Sequence, residues 1–123
     1  LAVLLHDAPE YVIGDMISPF KSAIGGDYKV VEHRLEQAIH LRFGLPAAIP
    51  APIRTLTKRA DHVSAFFEAI ELAGFERGEA EKIFGRPKGF PERLGLTPWP
   101  VAEAQARFLA RFDELDRLMH AGP

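Results

Sequence analysis

The chain has 123 residues, of which 47% are hydrophobic and 26% charged, and this composition predicts a single globular domain over residues 1–123. A formal charge of −2 gives no bulk electrostatic case for nucleic acid or an anionic membrane as a partner. The absence of cysteine excludes disulfides, thiolate ligands and a cysteine nucleophile, and makes the cytoplasm the expected compartment. No apolar run approaches the ~18 residues of a membrane span.

An apolar run from Leu1 to Ile13 carries three ionisable side chains in its middle and predicts a helix. At about 100° per residue, His6, Asp7 and Glu10 fall within one arc of that helix. Apolar side chains fill most other directions, so we expect the helix to be buried nearly all round. Unpaired charges in a buried arc cost several kcal/mol each. The pattern therefore favours a divalent cation, with a hydrogen-bonded core histidine at His6 as the alternative.

The start of the chain carries a further expectation. Leu1 is not a methionine and lies within the apolar run. We therefore expect this chain to be a fragment whose upstream helices, and part of the site with them, are absent.

Glycine and proline are too frequent between Gly14 and Gly26 for a long helix, so the sequence predicts a loop there. Such a loop places Asp15 and Lys21 over the mouth of the candidate site, and functional side chains often lie on loops. The alternative is that Asp15 and Lys21 are ordinary solvated charges.

An amphipathic helix with Asp27 as its N-cap is predicted to end at Gly44. His33 and His40 lie on one side of it. Because no acidic partner stands at ligand spacing, we interpret both as surface or packing histidines.

After a proline-broken connector, a long helix is predicted from about Ile53 to Gly74. Asp61 lies at the edge of its apolar stripe, where a metal-binding carboxylate is plausible. A solvated or Lys58-paired aspartate gives the same pattern. The apolar positions of this stripe are Ile53, Leu56, Ala60, Val63, Phe67 and Ile70.

The remaining sequence predicts a short helical turn over residues 78–84, an ordered loop over 85–96 and a final helix from near Thr97. The basic residues of the loop either reach a phosphate or are solvated. The last helix is expected to close the core with Val101, Ala104, Phe108, Phe112, Leu115 and Leu118. No segment alternates as a strand, so the fold class is all-α with five or six helices.

Two groups of residues together resemble the HD superfamily of metal-dependent phosphohydrolases. The first comprises His6-Asp7, Glu10, Gly14-Asp15, Pro19 and Lys21, and the second is Lys58-Arg59-Ala60-Asp61. The closer likeness is to the branch that contains the YfbR-type 5′-deoxynucleotidases. It covers roughly the first 75 residues, and it implies an HD-domain-like helical bundle.

The resemblance implies a role for each matched residue. His6, Asp7 and Asp61 match metal ligands, and Glu10 and Asp15 match acidic residues that act around the attacking water and the substrate. Lys21 and Lys58 match basic positions near the phosphate. The family's first histidine ligand has no match here. Histidine and aspartate ligands suit one divalent transition metal, Mn, Co, Fe, Ni or Zn.

The implied activity is hydrolysis of a phosphomonoester by a metal-activated water, with a nucleoside monophosphate or a related small phosphate as the substrate. Two other hypotheses stand beside it: an HD-like domain that senses a nucleotide without turnover, and a helical interaction domain without metal. We expect neither nucleic acid nor membrane as a partner. Association into a homo-oligomer is compatible with the leucine-rich start of the chain.

Overall fold

A computed structural model of the chain describes residues 1–122 and shows six helices and no strand among them. The helices are α1 (Glu10–Ile13), α2 (Ser18–Ile24), α3 (Gly26–Arg42), α4 (Ala51–Glu71), α5 (Arg77–Phe84) and α6 (Val101–His120). The prediction of an all-α chain with five or six helices is confirmed. The HD-domain-like arrangement of those helices stays a prediction.

The chain divides into two compact units. Unit 1 combines residues 1–54 with the described residues from Glu114 onwards, and unit 2 runs from Thr55 to Asp113. The boundaries fall within α4 and within α6. The prediction of one domain over residues 1–123 stays a prediction, and the two units are described separately below.

Residues 1–9 of unit 1 form successive turns, and only α1 continues as a helix. The prediction of one helix from Leu1 to Ile13 is wrong. Pro9 explains the difference, because proline has no N–H and its ring collides with the carbonyl four residues back. Several hydrogen bonds here instead join residues three apart, such as the one from the Ala8 N–H to the Leu5 carbonyl (3.0 Å).

The apolar run is buried on one side only. Leu5 and Pro9 are buried, whereas Val12 is 62% exposed and Tyr11 95% exposed. The expectation that this segment is buried nearly all round is therefore wrong. Turns change the direction in which successive side chains point, so the helical arcs assumed from the sequence do not apply before Pro9.

Helix α2 occupies the middle of the segment that was expected to be a loop. Pro19 lies in its first turn, where a proline is favourable because its φ angle is already helical and its missing N–H is not needed. Helix α2 packs against α3. The Lys21 ammonium and a Glu32 carboxylate oxygen, 3.2 Å apart, join the two helices.

Helix α3 confirms the predicted helix and ends two residues before Gly44. Its beginning differs from the prediction, since Asp27 lies inside the first turn and Gly25 holds the N-cap position. The predicted long helix and the short helix that follows it correspond to α4 and α5.

The core of unit 2 is built by α4 and α5 around two neighbouring aromatic rings. Phe66 and Phe67 are fully buried and pack edge to face with their centroids 5.3 Å apart, an arrangement favoured by the ring quadrupoles. Ala69 and Ala80 complete the buried cluster. The predicted stripe is correct at Phe67 and, partly buried, at Val63 and Ile70, but it is wrong at Ile53, Leu56 and Ala60, which are exposed, and it omits Phe66.

The loop over residues 85–96 contains no helix or strand, as predicted, and one carboxylate organises its end. Glu71 accepts hydrogen bonds from the backbone N–H groups of Leu94, Gly95 and Leu96 at 3.0, 2.7 and 3.2 Å. Burial alone would raise the pKa of the Glu71 carboxyl. The three N–H donors and nearby Arg93 outweigh burial and lower it.

Replacing Glu71 by glutamine should destabilise the protein in a pH-dependent manner. A carboxyl whose pKa is lowered on folding contributes stability above its ordinary pKa of 4.5 and loses it as the pH falls through the folded value. The free energy of unfolding should therefore be lower for Glu71→Gln than for the wild type at neutral pH, and the gap should narrow below pH 4.5. Chemical denaturation at neutral pH and below pH 4.5 measures this difference in the free energy of unfolding.

The matched control is Glu68→Gln on the same helix, where the carboxylate accepts a hydrogen bond from the Ser64 hydroxyl at 2.7 Å. If Glu71→Gln and the wild type differed in the free energy of unfolding by the same amount at both pH values, this role for the Glu71 charge would be contradicted.

Helix α6 has no buried residue, so the expectation that it closes the core is wrong. Val101 is 85% and Leu118 65% exposed. Local contacts support the helix instead. The Arg107 guanidinium lies 2.7 Å from the Glu103 carboxylate and 4.2 Å from the centroid of the Trp99 ring.

Across residues 1–122, no helix combines the length and the apolar character needed to cross a lipid bilayer.

Candidate functional site

His6 contacts its surroundings through both ring nitrogens. Its Nδ1 lies 2.8 Å from the backbone carbonyl oxygen of Val3, and its Nε2 lies 3.2 Å from Oδ2 of Asp7. The turn over residues 3–6 creates the first contact by bringing the Val3 carbonyl beside the histidine ring. The side chains of His6 and Asp7 are 32% and 62% exposed, so the pair lies at the surface.

These two contacts fix the chemistry of the imidazole. A carbonyl oxygen only accepts hydrogen bonds, so Nδ1 of His6 carries the hydrogen and donates it to Val3. In a neutral ring, Nε2 is then an acceptor that faces a carboxylate oxygen of Asp7, which is also an acceptor. A protonated imidazole that donates to Asp7 from Nε2, or a cation between the two acceptors, satisfies this contact. Metal-binding histidines are commonly oriented in this way by a backbone carbonyl.

A second histidine–aspartate pair shows the contrasting arrangement. Nδ1 of His120 lies 2.9 Å from the backbone carbonyl of Asp116 and 3.3 Å from its Oδ1. Both acceptors of that pair face the same nitrogen, so a single N–H can serve them without any cation. The two pairs share residue types but differ in geometry, because His6 divides its contacts between the two ring nitrogens, as His40 also does with the Ala47 carbonyl and the Glu36 carboxylate.

An acidic group surrounds Glu10 at the start of α1. Burial raises the pKa of the Glu10 carboxyl, the negative charges of Asp7, Asp15 and Glu32 raise it further, and the positive charge of Lys21 opposes them. A carboxyl with a raised pKa accepts a proton more readily than an ordinary one. The structure thus places Glu10 within electrostatic reach of Asp7 and of Asp15.

Lys21 lies in the same part of unit 1, but it has a partner that the sequence did not indicate. The hydrogen bond to Glu32 raises the pKa of the Lys21 ammonium, so the group stays positively charged. The Tyr28 ring lies beneath it, 5.7 Å from Nζ to the centroid. The Tyr28 hydroxyl in turn donates to the Gly14 carbonyl at 3.2 Å. A phosphate at Lys21 would share the ammonium with Glu32.

A cleft of about 330 Å³ opens beside His6, and we call it the His6 cleft. It is lined by His6, Pro9, Lys29, Glu32, His33 and Glu36. Lys29, Glu32 and Glu36 are the lining residues that sequence reasoning did not select. Their spacing of three and four residues along α3 is the signal that identifies them as one helix face.

Glu36 contacts both histidines of α3. Its carboxylate lies 3.5 Å from Nδ1 of His33 and 3.9 Å from Nε2 of His40. The interpretation of these histidines as surface and packing residues is confirmed, because His33 is exposed whereas His40 is buried with its Nδ1 3.3 Å from the Ala47 carbonyl. The ion-pair contacts of Glu36 with both histidines were not predicted from the sequence.

The two remaining predicted residues lie on α4 in unit 2. Lys58 and Asp61 are three positions apart, hence on one side of the helix, and both are exposed. Among residues 1–122, no three histidine, aspartate or glutamate side chains form a group that could hold a metal ion. A shared metal site of His6, Asp7 and Asp61 therefore stays a prediction.

Comparison with known proteins gives relatives without a described activity. No family model matches the chain. An uncharacterized protein of Rhodobacter capsulatus is 53% identical over 118 residues, which make up 95% of this chain and 60% of that protein. The uncharacterized protein YfdR of Escherichia coli is 29% identical over 117 residues, covering 94% of this chain and 61% of YfdR. The chain thus spans about three fifths of the length of these curated relatives.

Proposed function

We propose that this chain belongs to a metal-dependent phosphohydrolase that acts on a small phosphomonoester, with a nucleoside monophosphate as the leading substrate class. The His6–Asp7 pair is the observation that carries the proposal. In this pair an imidazole nitrogen and a carboxylate oxygen lie 3.2 Å apart at the surface. Nitrogen and oxygen donors of this kind suit a divalent Mn, Fe, Co, Ni or Zn ion.

His6 and Asp7 would hold the ion in unit 1, and the resemblance supplies Asp61 as a further ligand. The Val3 carbonyl keeps the imidazole oriented by holding Nδ1, the kind of supporting contact that metal-binding histidines use. A divalent ion there would supply Lewis acidity to the phosphoryl group.

The surrounding side chains have distinct tasks in this proposal. Glu10 or Asp15 would orient the attacking water and accept its proton as the phosphorus–oxygen ester bond breaks. Lys21 and Lys58 would stabilise the charge of the phosphate. The His6 cleft offers space beside the ligand pair, and Lys29 adds a positive side chain to its wall. The products are the alcohol and inorganic phosphate.

The experiment combines metal analysis with a turnover assay. The protein is stripped of metal and reloaded with each of the five candidate ions, and bound metal is measured after gel filtration. Phosphate release is then screened across mononucleotides. We expect one ion per chain and release of phosphate from at least one mononucleotide. Bound metal without turnover would favour the nucleotide-sensing alternative, and absence of bound metal would favour a helical interaction domain.

The cellular setting of the proposal follows from the sequence. We place the reaction in the cytoplasm, since the chain contains no cysteine. A small phosphate ester, rather than a nucleic acid or a membrane, is the proposed partner, because the net charge is −2. Association between copies of the chain is a further proposal, which the gel filtration of the same experiment examines.

A further inference from the structure

A second cleft lies within unit 2, where α4 faces the loop after α5. It encloses about 220 Å³, and we call it the basic cleft. Its lining residues are Arg59, His62, Val63, Phe84, Gly85, Arg86, Pro87, Lys88 and Phe90. No carboxylate is among them, although the chain as a whole has more acidic than basic residues.

The positive charges of this cleft are mostly unneutralised. Within residues 1–122, no carboxylate lies within ion-pair distance of Arg59 or Lys88. Arg86 has one acidic neighbour, Glu81, with its carboxylate 3.7 Å from Nε. Three positive side chains and one adjacent carboxylate leave a local excess of positive charge, which attracts a compact anion such as a phosphate.

Aromatic rings and a constrained loop complete the cleft. Phe90 is 47% exposed, yet its ring packs against the buried Phe67 with centroids 6.1 Å apart. The loop between Phe84 and Phe90 contains Pro87 and two glycines, Gly85 and Gly89, whose φ angles of 80° and 82° are unfavourable for other residues. Pro87 restricts the backbone at one position of this loop, which lowers the entropic cost of ordering the loop around a ligand.

The basic cleft uses a different side of α4 from the predicted metal ligand Asp61. Arg59, His62 and Val63 line it, whereas Asp61 precedes His62 by one residue and Lys58 lies one turn before His62. One residue corresponds to about 100° around a helix. The cleft is thus separate from the Asp61 side of α4, and the inference does not depend on the proposed hydrolase activity.

We propose that the basic cleft binds a phosphate-bearing aromatic small molecule of the size of a nucleoside monophosphate. Arg59 and Lys88 hold the phosphate, and the Phe90 ring supports the base, since aromatic side chains stack with any nucleobase. The volume of about 220 Å³ is below the roughly 300–1,000 Å³ of typical ligand pockets. It therefore favours a mononucleotide over a larger cofactor.

The test is a calorimetric titration of the full chain in EDTA, so that no divalent metal contributes to phosphate binding. The probes are adenosine monophosphate, adenosine and inorganic phosphate. We expect the monophosphate to bind more tightly than either of its parts. The double variant Arg59→Gln with Lys88→Gln should weaken its binding by at least about tenfold, because charge-assisted hydrogen bonds to phosphate are lost.

The matched control is Arg54→Gln with Lys82→Gln, which removes two exposed positive charges from α4 and α5 outside the cleft. It should leave the affinity for adenosine monophosphate within about twofold, since neither side chain lines the cleft and exposed charges are screened by salt. Phe90→Leu should lower the affinity for adenosine monophosphate and leave the affinity for inorganic phosphate unchanged. Absence of saturable binding, equal losses in both double variants, or tighter binding of a single-stranded oligonucleotide than of the monophosphate would each overturn the proposal.

Discussion

On the proposed function, the His6→Ala variant is expected to lose bound divalent metal and, with it, phosphomonoester hydrolysis by orders of magnitude. The imidazole is the nitrogen donor of the pair, and its Nε2 lies 3.2 Å from Asp7 Oδ2. Changes to residues that only support a ligand already cost about 10–100-fold in metal affinity or activity. Removing the ligand itself should therefore exceed that range. Metal content after gel filtration and the rate of phosphate release measure the two losses.

His120→Ala is the control, because His120 also lies beside an aspartate, Asp116, at 3.3 Å. It should retain metal and activity, since one N–H of His120 serves both acceptors and no cation is needed there. Circular dichroism should show that both variants keep their helices. Equal loss of metal in the two variants would contradict the special role of the split contacts at His6.

The Glu10→Gln variant is expected to keep its metal and lose about 10²–10⁴-fold in kcat, the range typical of general acid–base catalysis. Glutamine preserves the shape of the side chain but cannot accept the proton of the attacking water. Metal affinity should stay the same because the proposal gives ligation to His6 and Asp7. An unchanged metal affinity together with a reduced kcat would show that Glu10 acts in proton transfer and does not bind the metal.

Asp15→Asn identifies which of the two carboxylates takes the proton, since the larger loss in kcat marks the base. Asp27→Asn removes one exposed negative charge from the first turn of α3 and serves as the charge-matched control. It should leave kcat unchanged. Loss of metal from Glu10→Gln would instead move Glu10 from proton transfer to metal ligation.

The sequence predicted the helices best where a regular helical spacing of apolar residues continued for many residues. Helices α3 to α6 lie close to their predicted positions, because apolar spacing and flanking glycine and proline act locally. The same rules failed at Pro9, where a single missing N–H converted a predicted helix into turns. They also failed at Pro19, where a first-turn proline begins α2.

Burial was harder to predict than helix position. A stripe shows which side chains share a face, but it does not show whether another element covers that face. Phe108 of α6 belongs to a clear stripe and is 44% exposed. Phe66 lies outside the predicted stripe of α4 and is fully buried, because a second side of that helix is also covered.

The residues of the candidate site were selected from the sequence, whereas their contacts were not predictable from it. The spacing of His6, Asp7 and Glu10 was sufficient to select them, yet the contact of His6 with the Val3 carbonyl depends on a turn that the helical interpretation excluded. Glu32 became a partner of Lys21 only through the packing of α2 on α3. Contacts between elements of this kind depend on tertiary structure, which local periodicity does not specify.

Pulsed electron paramagnetic resonance of the protein loaded with Mn²⁺ tests most directly whether His6 binds the metal. Hyperfine coupling to a directly bound imidazole nitrogen reports ligation independently of turnover. We expect this coupling in the wild type, its loss in His6→Ala and its retention in His120→Ala. Absence of nitrogen coupling in the wild type, or its persistence in His6→Ala, would contradict the proposed metal site at its first ligand.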